Sequence, residues 1–119
     1  MYTIREVSLQ HGTQERKRSV ITFKERNKQI IGEFLMSDAP MMNFAIIHDI
    51  QVVLRGVESS ITRNCNRCSI NITKEITYIE DLYTDLYEGL HTYAPYALDT
   101  TELLKLIRMW KEHLEQYKE

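Results

Sequence analysis

Apolar and polar residues alternate along the first third of the chain. Over Tyr2–Leu9 the apolar positions are Tyr2 and Ile4, then Val7 and Leu9. Their parity slips once near Arg5-Glu6, which predicts a strand with a bulge. His11-Gly12 and the polar run Thr13–Lys17 read as a loop. Ser19–Lys24 reads as a second strand, with Ile21 and Phe23 on one face. Glu25–Lys28 reads as a short turn and Gln29–Met36 as a third strand. Turns this short predict an antiparallel meander.

The period changes at Asp38-Ala39-Pro40. Asp38 suits a helix N-cap, and proline is tolerated in a first helical turn. Met42, Ile46, Ile50 and Val53 follow at helical spacing, and Gly56 stands where a C-terminal stop belongs. The rival reading is a strand, because Ile46, Ile47, Ile50, Val52 and Val53 are β-branched; the run is too long for one. Val57–Thr62 predicts an exposed strand, and Asn64–Arg67 a turn. Cys68, Ile70 and Ile72 alternate with polar residues as a half-buried strand. Lys74-Glu75 then turns the chain into a partner strand, Ile76–Leu82. Residues 83–98 read as irregular, broken by Gly89 and Pro95. Asp99-x-x-Glu102 resembles a capping box. The stripe Leu103, Ile107, Trp110, Leu114, Tyr117 makes the last element a helix with one buried face. The expectation is an α+β fold: an antiparallel sheet of five or six strands, with a middle helix and a C-terminal Trp-bearing helix packed on it. A chain of 119 residues, 43% hydrophobic, predicts one domain over 1–119.

Charge sharpens this picture. The net charge is −2, so bulk charge does not mark a nucleic-acid binder. The distribution is uneven. Residues 1–37 hold seven Lys or Arg against four acids. The stretch Glu75–Glu102 holds seven acids, no Lys or Arg, and five of the seven tyrosines. Such a stretch suits capture of a basic partner, since opposite charge speeds encounter and tyrosine offers contact area at low entropic cost. The candidate partner-binding residues are Glu80, Asp81, Tyr83, Asp85, Tyr87, Glu88, Tyr93 and Tyr96. Tyr78 is left out, because strand alternation could turn it into the core. A solvated loop with its aromatics turned inward fits the same pattern. The start MYTIREVSLQ lacks a basic head before an apolar run, and no apolar segment approaches the ~20 residues that cross a bilayer. The expectation is a cytoplasmic chain with reduced thiols and no membrane contact.

Candidate chemistry is sparse. Cys65-x-x-Cys68 has a metal-like spacing, but a zinc site needs a second ligand pair, and the four histidines stand at no ligand spacing. No cofactor and no metal are expected. Asp81 or Asp85 with a histidine such as His91 would be the carboxylate pairing for a small enzyme, which needs a cleft and shifted pKa values. The basic run Arg16-Lys17-Arg18 could touch phosphate, but acids interrupt it and no aromatic is interleaved.

The second half of the chain resembles small immunity proteins of bacterial toxin systems, including contact-dependent inhibition. The resemblance covers roughly residues 44–117. It rests on Val53-Leu54-Arg55-Gly56 ending a helix, and on the turn into a strand Asn66-Arg67-Cys68-Ser69-Ile70. It rests also on the strand end Ile79 to Tyr83, and on Leu98-Asp99-Thr100-Thr101-Glu102-Leu103 leading to Trp110. Where that pattern has glycine before the asparagine of the turn, this chain has Asn64-Cys65. The resemblance implies a non-catalytic protein that neutralises a cognate toxin domain in the producing cell, without touching nucleic acid itself. Many such toxins are nucleases with basic active sites. The alternatives are the small enzyme above and a phage- or plasmid-borne adaptor.

Overall fold

The computed structural model describes residues 2–83 and 92–116. β1 (Tyr2–His11) and β2 (Gln14–Phe23) pair antiparallel as a two-stranded ribbon. Their register runs unbroken from Tyr2 opposite Phe23 to His11 opposite Gln14. The parity slip near Arg5-Glu6 is therefore not a bulge, and Gln14–Lys17 belong to a strand rather than to a loop. Gly12, at φ +64°, lets the chain reverse within Gly12-Thr13, the tight hairpin connection that favours glycine first.

The expected third strand is helical. A 3₁₀ turn at Arg26–Lys28 leads into α1 (Gln29–Glu33), which continues as a wide π turn over Phe34–Asp38. Gln29 anchors the entry, its Nε2 donating to Phe23 O (2.6 Å) and Glu25 O (3.2 Å). Ile30, Ile31, Phe34 and Leu35 are all buried, the spacing of one helical face. Burial of that face overrides the strand preference of its β-branched residues. Gly32 lets the helix press on β2: a Cβ there would lie 3.2 Å from Ile21 O. α1 contacts both β2 and β5, and so lies between the ribbon and the main sheet.

α2 (Ile46–Leu54) starts later than Asp38-Ala39-Pro40 suggests, after Asn43 and Phe44 take positive φ. It ends at Gly56, φ +80°, with Gly56 N donating to Val53 O and Val57 N to Val52 O, a Schellman motif. β3 (Ser60–Asn64), β4 (Cys68–Thr73), β5 (Ile76–Asp81) and β6 (Tyr96–Asp99) form an antiparallel sheet in that order. α3 (Thr100–Gln116) closes the described chain. The six described strands are thus divided between two sheets, four and two, rather than joined in one.

One face of the four-stranded sheet carries Ile70, Ile72 and Ile79 into the core. α2 brings Ile50 and Val53, and α3 brings Leu103, Ile107 and Trp110. Tyr2 and Ile4 lie opposite Phe23 and Ile21, so the inner half of the ribbon joins the same core. No helix among the described residues is long and apolar enough to cross a membrane.

Candidate partner-binding face

The hairpin β4–β5 decides which side chains face out. Lys74-Glu75 connects the strands, so Ile72 lies opposite Thr77, Ile70 opposite Ile79, and Cys68 opposite Asp81. Opposed residues in an antiparallel pair share a face. Thr77, Ile79 and Asp81 are therefore buried, while Ile76, Tyr78 and Glu80 point away from the helices. Tyr78 is 42% exposed and Ile76 50%. Asn71 lies opposite Tyr78, Ser69 opposite Glu80, and Asp99 opposite Ile76.

This outer face is polar and ordered around its tyrosine. Asn71 Nδ2 donates to Thr62 Oγ1 (2.6 Å), and Ser69 Oγ donates to Asn64 Oδ1 (2.9 Å), tying β3 to β4. Glu80 and Asp99 are its charges; no described strand residue facing this way is Lys or Arg. Arg63, opposite Ile70, faces the helices instead. Its Nε and Nη2 donate to Asp49 Oδ2 (2.9 Å) and Oδ1 (3.0 Å) on α2. The face thus carries two carboxylates and two exposed apolar groups, Ile76 and Tyr78.

At one end of the sheet stands a buried ionic knot. Arg67 Nε and Nη2 donate to Asp81 Oδ1 (3.0 Å) and Oδ2 (2.9 Å) as a two-pronged pair. The same carboxylate accepts Tyr83 N and Tyr93 N, each at 2.9 Å. The Arg67 guanidinium lies 4.5 Å from the centre of the Tyr83 ring and 5.4 Å from that of Tyr93. Burial pushes the Asp81 pKa up, but the Arg67 hydrogen bonds and the two backbone donors outweigh it, so the net shift is downward. On the other side of Arg67, Asp38 Oδ1 accepts Arg67 N (2.8 Å) and Oδ2 accepts Cys68 N (2.7 Å). Burial holds the Asp38 pKa above the ordinary carboxylate value despite those donors.

The eight candidate residues thus have different fates. Glu80 lies exposed on the outer face. Asp81 is buried, and its oxygens accept hydrogen bonds from Arg67, Tyr83 N and Tyr93 N. Tyr83 and Tyr93 are half-buried on Arg67. Tyr96 lies opposite Ile79 and is half-buried against the core, with Lys28 Nζ 6.0 Å from its ring centre. Asp85, Tyr87 and Glu88 lie outside the described residues, as does His91. The outer face also carries Tyr78, Ile76, Asn71 and Asp99, which are not among the eight; the register of the two-residue turn sets Tyr78 against Asn71 rather than against an isoleucine, and so outward.

Cys65 and Cys68 close the β3–β4 turn through Cys65 N donating to Cys68 O (2.8 Å). Burial, reinforced by the Asp38 charge, pushes the Cys65 thiol up to about 11, and burial likewise raises that of Cys68. Both are therefore protonated thiols at neutral pH, the unreactive form. Cys65 Sγ lies 3.6 Å from Met42 Sδ. Among the described residues no three His, Cys, Asp or Glu side chains converge on a common point. No protein-family model matches the chain, and no curated protein or solved structure matches it.

Proposed function

We propose that this protein is an immunity-type inhibitor that docks a basic toxin domain on the outer face of its four-stranded sheet. One observation carries the docking reading. Tyr78 and Ile76 stand exposed between the carboxylates of Glu80 and Asp99, on a face whose described strand positions hold no cation. Exposed tyrosine with an acidic surround matches the anatomy of a protein-binding hot spot, in which a few aromatic anchors hold and charges steer. The toxin class is supported by the resemblance of residues 44–117 to immunity proteins. In this reading the inhibitor acts inside the producing cell, by covering the toxin's basic site rather than by any reaction. Asp81 does not serve the enzyme reading, because its four hydrogen bonds leave it occupied.

The test uses the domain encoded by the neighbouring upstream open reading frame. Co-expression should rescue growth from that domain, and the purified pair should bind. Glu80→Lys with Asp99→Lys should slow association, more so at low salt, because such charges act through screened steering. Tyr78→Ala should instead speed dissociation by about tenfold or more. An upstream domain that is harmless, or rates unmoved by all three substitutions, overturns the reading.

A further inference from the structure

The ribbon holds a second surface of opposite sign. Along one of its faces, Arg5 lies opposite Val20, Val7 opposite Arg18, and Leu9 opposite Arg16. Each of these three neighbouring pairs sets one arginine beside one aliphatic residue. The arginines are exposed, Leu9 is 49% exposed, and Val7 and Val20 are half-buried. The other face carries Tyr2 and Ile4 opposite Phe23 and Ile21 at its inner end, where it meets the core. The parity slip in the sequence is therefore a change of face. Ile4 packs against the core, and from Val7 outward the apolar residues line the opposite side.

That side opens on a recess of about 380 Å³, walled by Val7, Leu9 and Val20 on the ribbon and by Glu33, Met36 and Ser37 on the neighbouring helix. We infer that the outer half of the ribbon is a docking surface for an acidic protein segment carrying an apolar anchor. The anchor fills the recess, and flanking carboxylates meet Arg5, Arg16 and Arg18. Charge complementarity selects this occupant, since guanidinium pairs with carboxylate in a two-pronged geometry. A second copy meeting face to face would set three arginines against three arginines. A flat bilayer does not enter a recess lying between ribbon and helix. A phosphate backbone finds charge here but nothing to place on the aliphatic centre. A two-stranded ribbon is also marginally stable by itself, so a cover over its outer half adds stability.

The test is fluorescence anisotropy with a short labelled peptide of alternating glutamate and leucine. Polyglutamate, an oligothymidylate and phosphatidylserine vesicles serve as comparison probes. The glutamate–leucine peptide should bind, and polyglutamate should bind more weakly. Arg16→Gln with Arg18→Gln should weaken the peptide by about tenfold or more and flatten its salt dependence. Leu9→Ser should weaken it at unchanged salt dependence, and Tyr78→Ala should leave it unchanged. Each variant is first shown to melt near the parent. The inference is overturned if the peptide does not bind, or if neither ribbon variant weakens it. It is equally overturned if the oligothymidylate or the vesicles bind more tightly through the same arginines. Self-association that the arginine variants abolish would assign the face to a second copy instead.

Discussion

At Asp81 one buried carboxylate accepts two hydrogen bonds from Arg67 and one each from the backbones of Tyr83 and Tyr93. Asp81→Ala removes a buried carboxylate that accepts two hydrogen bonds from the Arg67 guanidinium, whose side chain is only 16% exposed. Urea unfolding should show a loss of about 3–5 kcal/mol. The same group sets a pH dependence. Its folded pKa lies below the unfolded value, so its stabilisation is present above the ordinary carboxylate range and is lost as pH falls through the folded pKa. Asp38 has the opposite sign. Its folded pKa is raised chiefly by burial, so its contribution is present at low pH and is lost as pH rises through the folded value. Unfolding measured between about pH 2 and pH 6 should show a shallower acid-side loss in Asp81→Asn and a steeper one in Asp38→Asn. A second residue-scale test is Trp110, which is 1% exposed and stacks on His113 with ring centres 5.7 Å apart. Its indole Nε1 is a buried donor with no hydrogen-bond partner among the described residues. Trp110→Ala should cost about 3–5 kcal/mol. Trp110→Phe should cost much less, because it removes the unsatisfied N–H while keeping most of the ring.

At the scale of elements, the β4–β5 turn lacks the glycine or asparagine that such turns favour. Thr73 supplies the missing chemistry: its Oγ1 donates to Ile76 O (2.6 Å) and accepts from Ile76 N (3.2 Å). Thr100, the first residue of α3, ties the helix to that turn. Its N donates to Glu75 O (3.0 Å), its Oγ1 donates to Thr73 O (2.6 Å), and Oγ1 lies 2.8 Å from Thr77 Oγ1. Thr100 and Thr77 are both fully buried. Thr100→Val keeps the shape but leaves Thr73 O and Thr77 Oγ1 without this partner. The urea midpoint should fall by the equivalent of about 1–3 kcal/mol, with Thr100→Ser closer to the parent. The hairpin, Gly56 and the amphipathic α3 were legible in the sequence, because each depends on local spacing and turn chemistry. Gln29–Met36 was misread because Ile30-Ile31 carries strand preference, and only the apolar pairs recurring four residues on, Phe34-Leu35, mark the helix.

Across the whole molecule, the two proposed docking surfaces carry opposite charge and rest on different supports. The outer face of the four-stranded sheet is backed by the helices and the core. The outer half of the ribbon is backed on neither face by a second sheet, and most of its residues from Val7 to Arg18 are exposed. Hydrogen exchange should separate them. Amides of Ile70, Ile72 and Ile79 should exchange near the rate of global unfolding, while those of the outer ribbon should exchange markedly faster. Equal protection in both would show that the ribbon shares the stability of the core. Added glutamate–leucine peptide should slow exchange in the ribbon and leave the sheet unchanged.

The sequence by itself determined what depends on neighbours along the chain. It marked α3 by its 3.6-residue stripe, the β4–β5 hairpin by its alternation, the end of α2 by Gly56, and the separation of a basic first third from an acidic stretch. The tertiary structure decided which charges are free. Asp81 and Glu80 are adjacent and chemically alike, yet one binds Arg67 inside and the other faces solvent. That difference follows from strand parity and from Arg67 arriving fourteen residues away in sequence. The tertiary structure also decided that the strands form two sheets, with α1 packed against both the ribbon and β5. Both outcomes depend on contacts between distant segments. Local pattern specifies an element and its apolar face, but what that face meets is set by the packing of the whole chain.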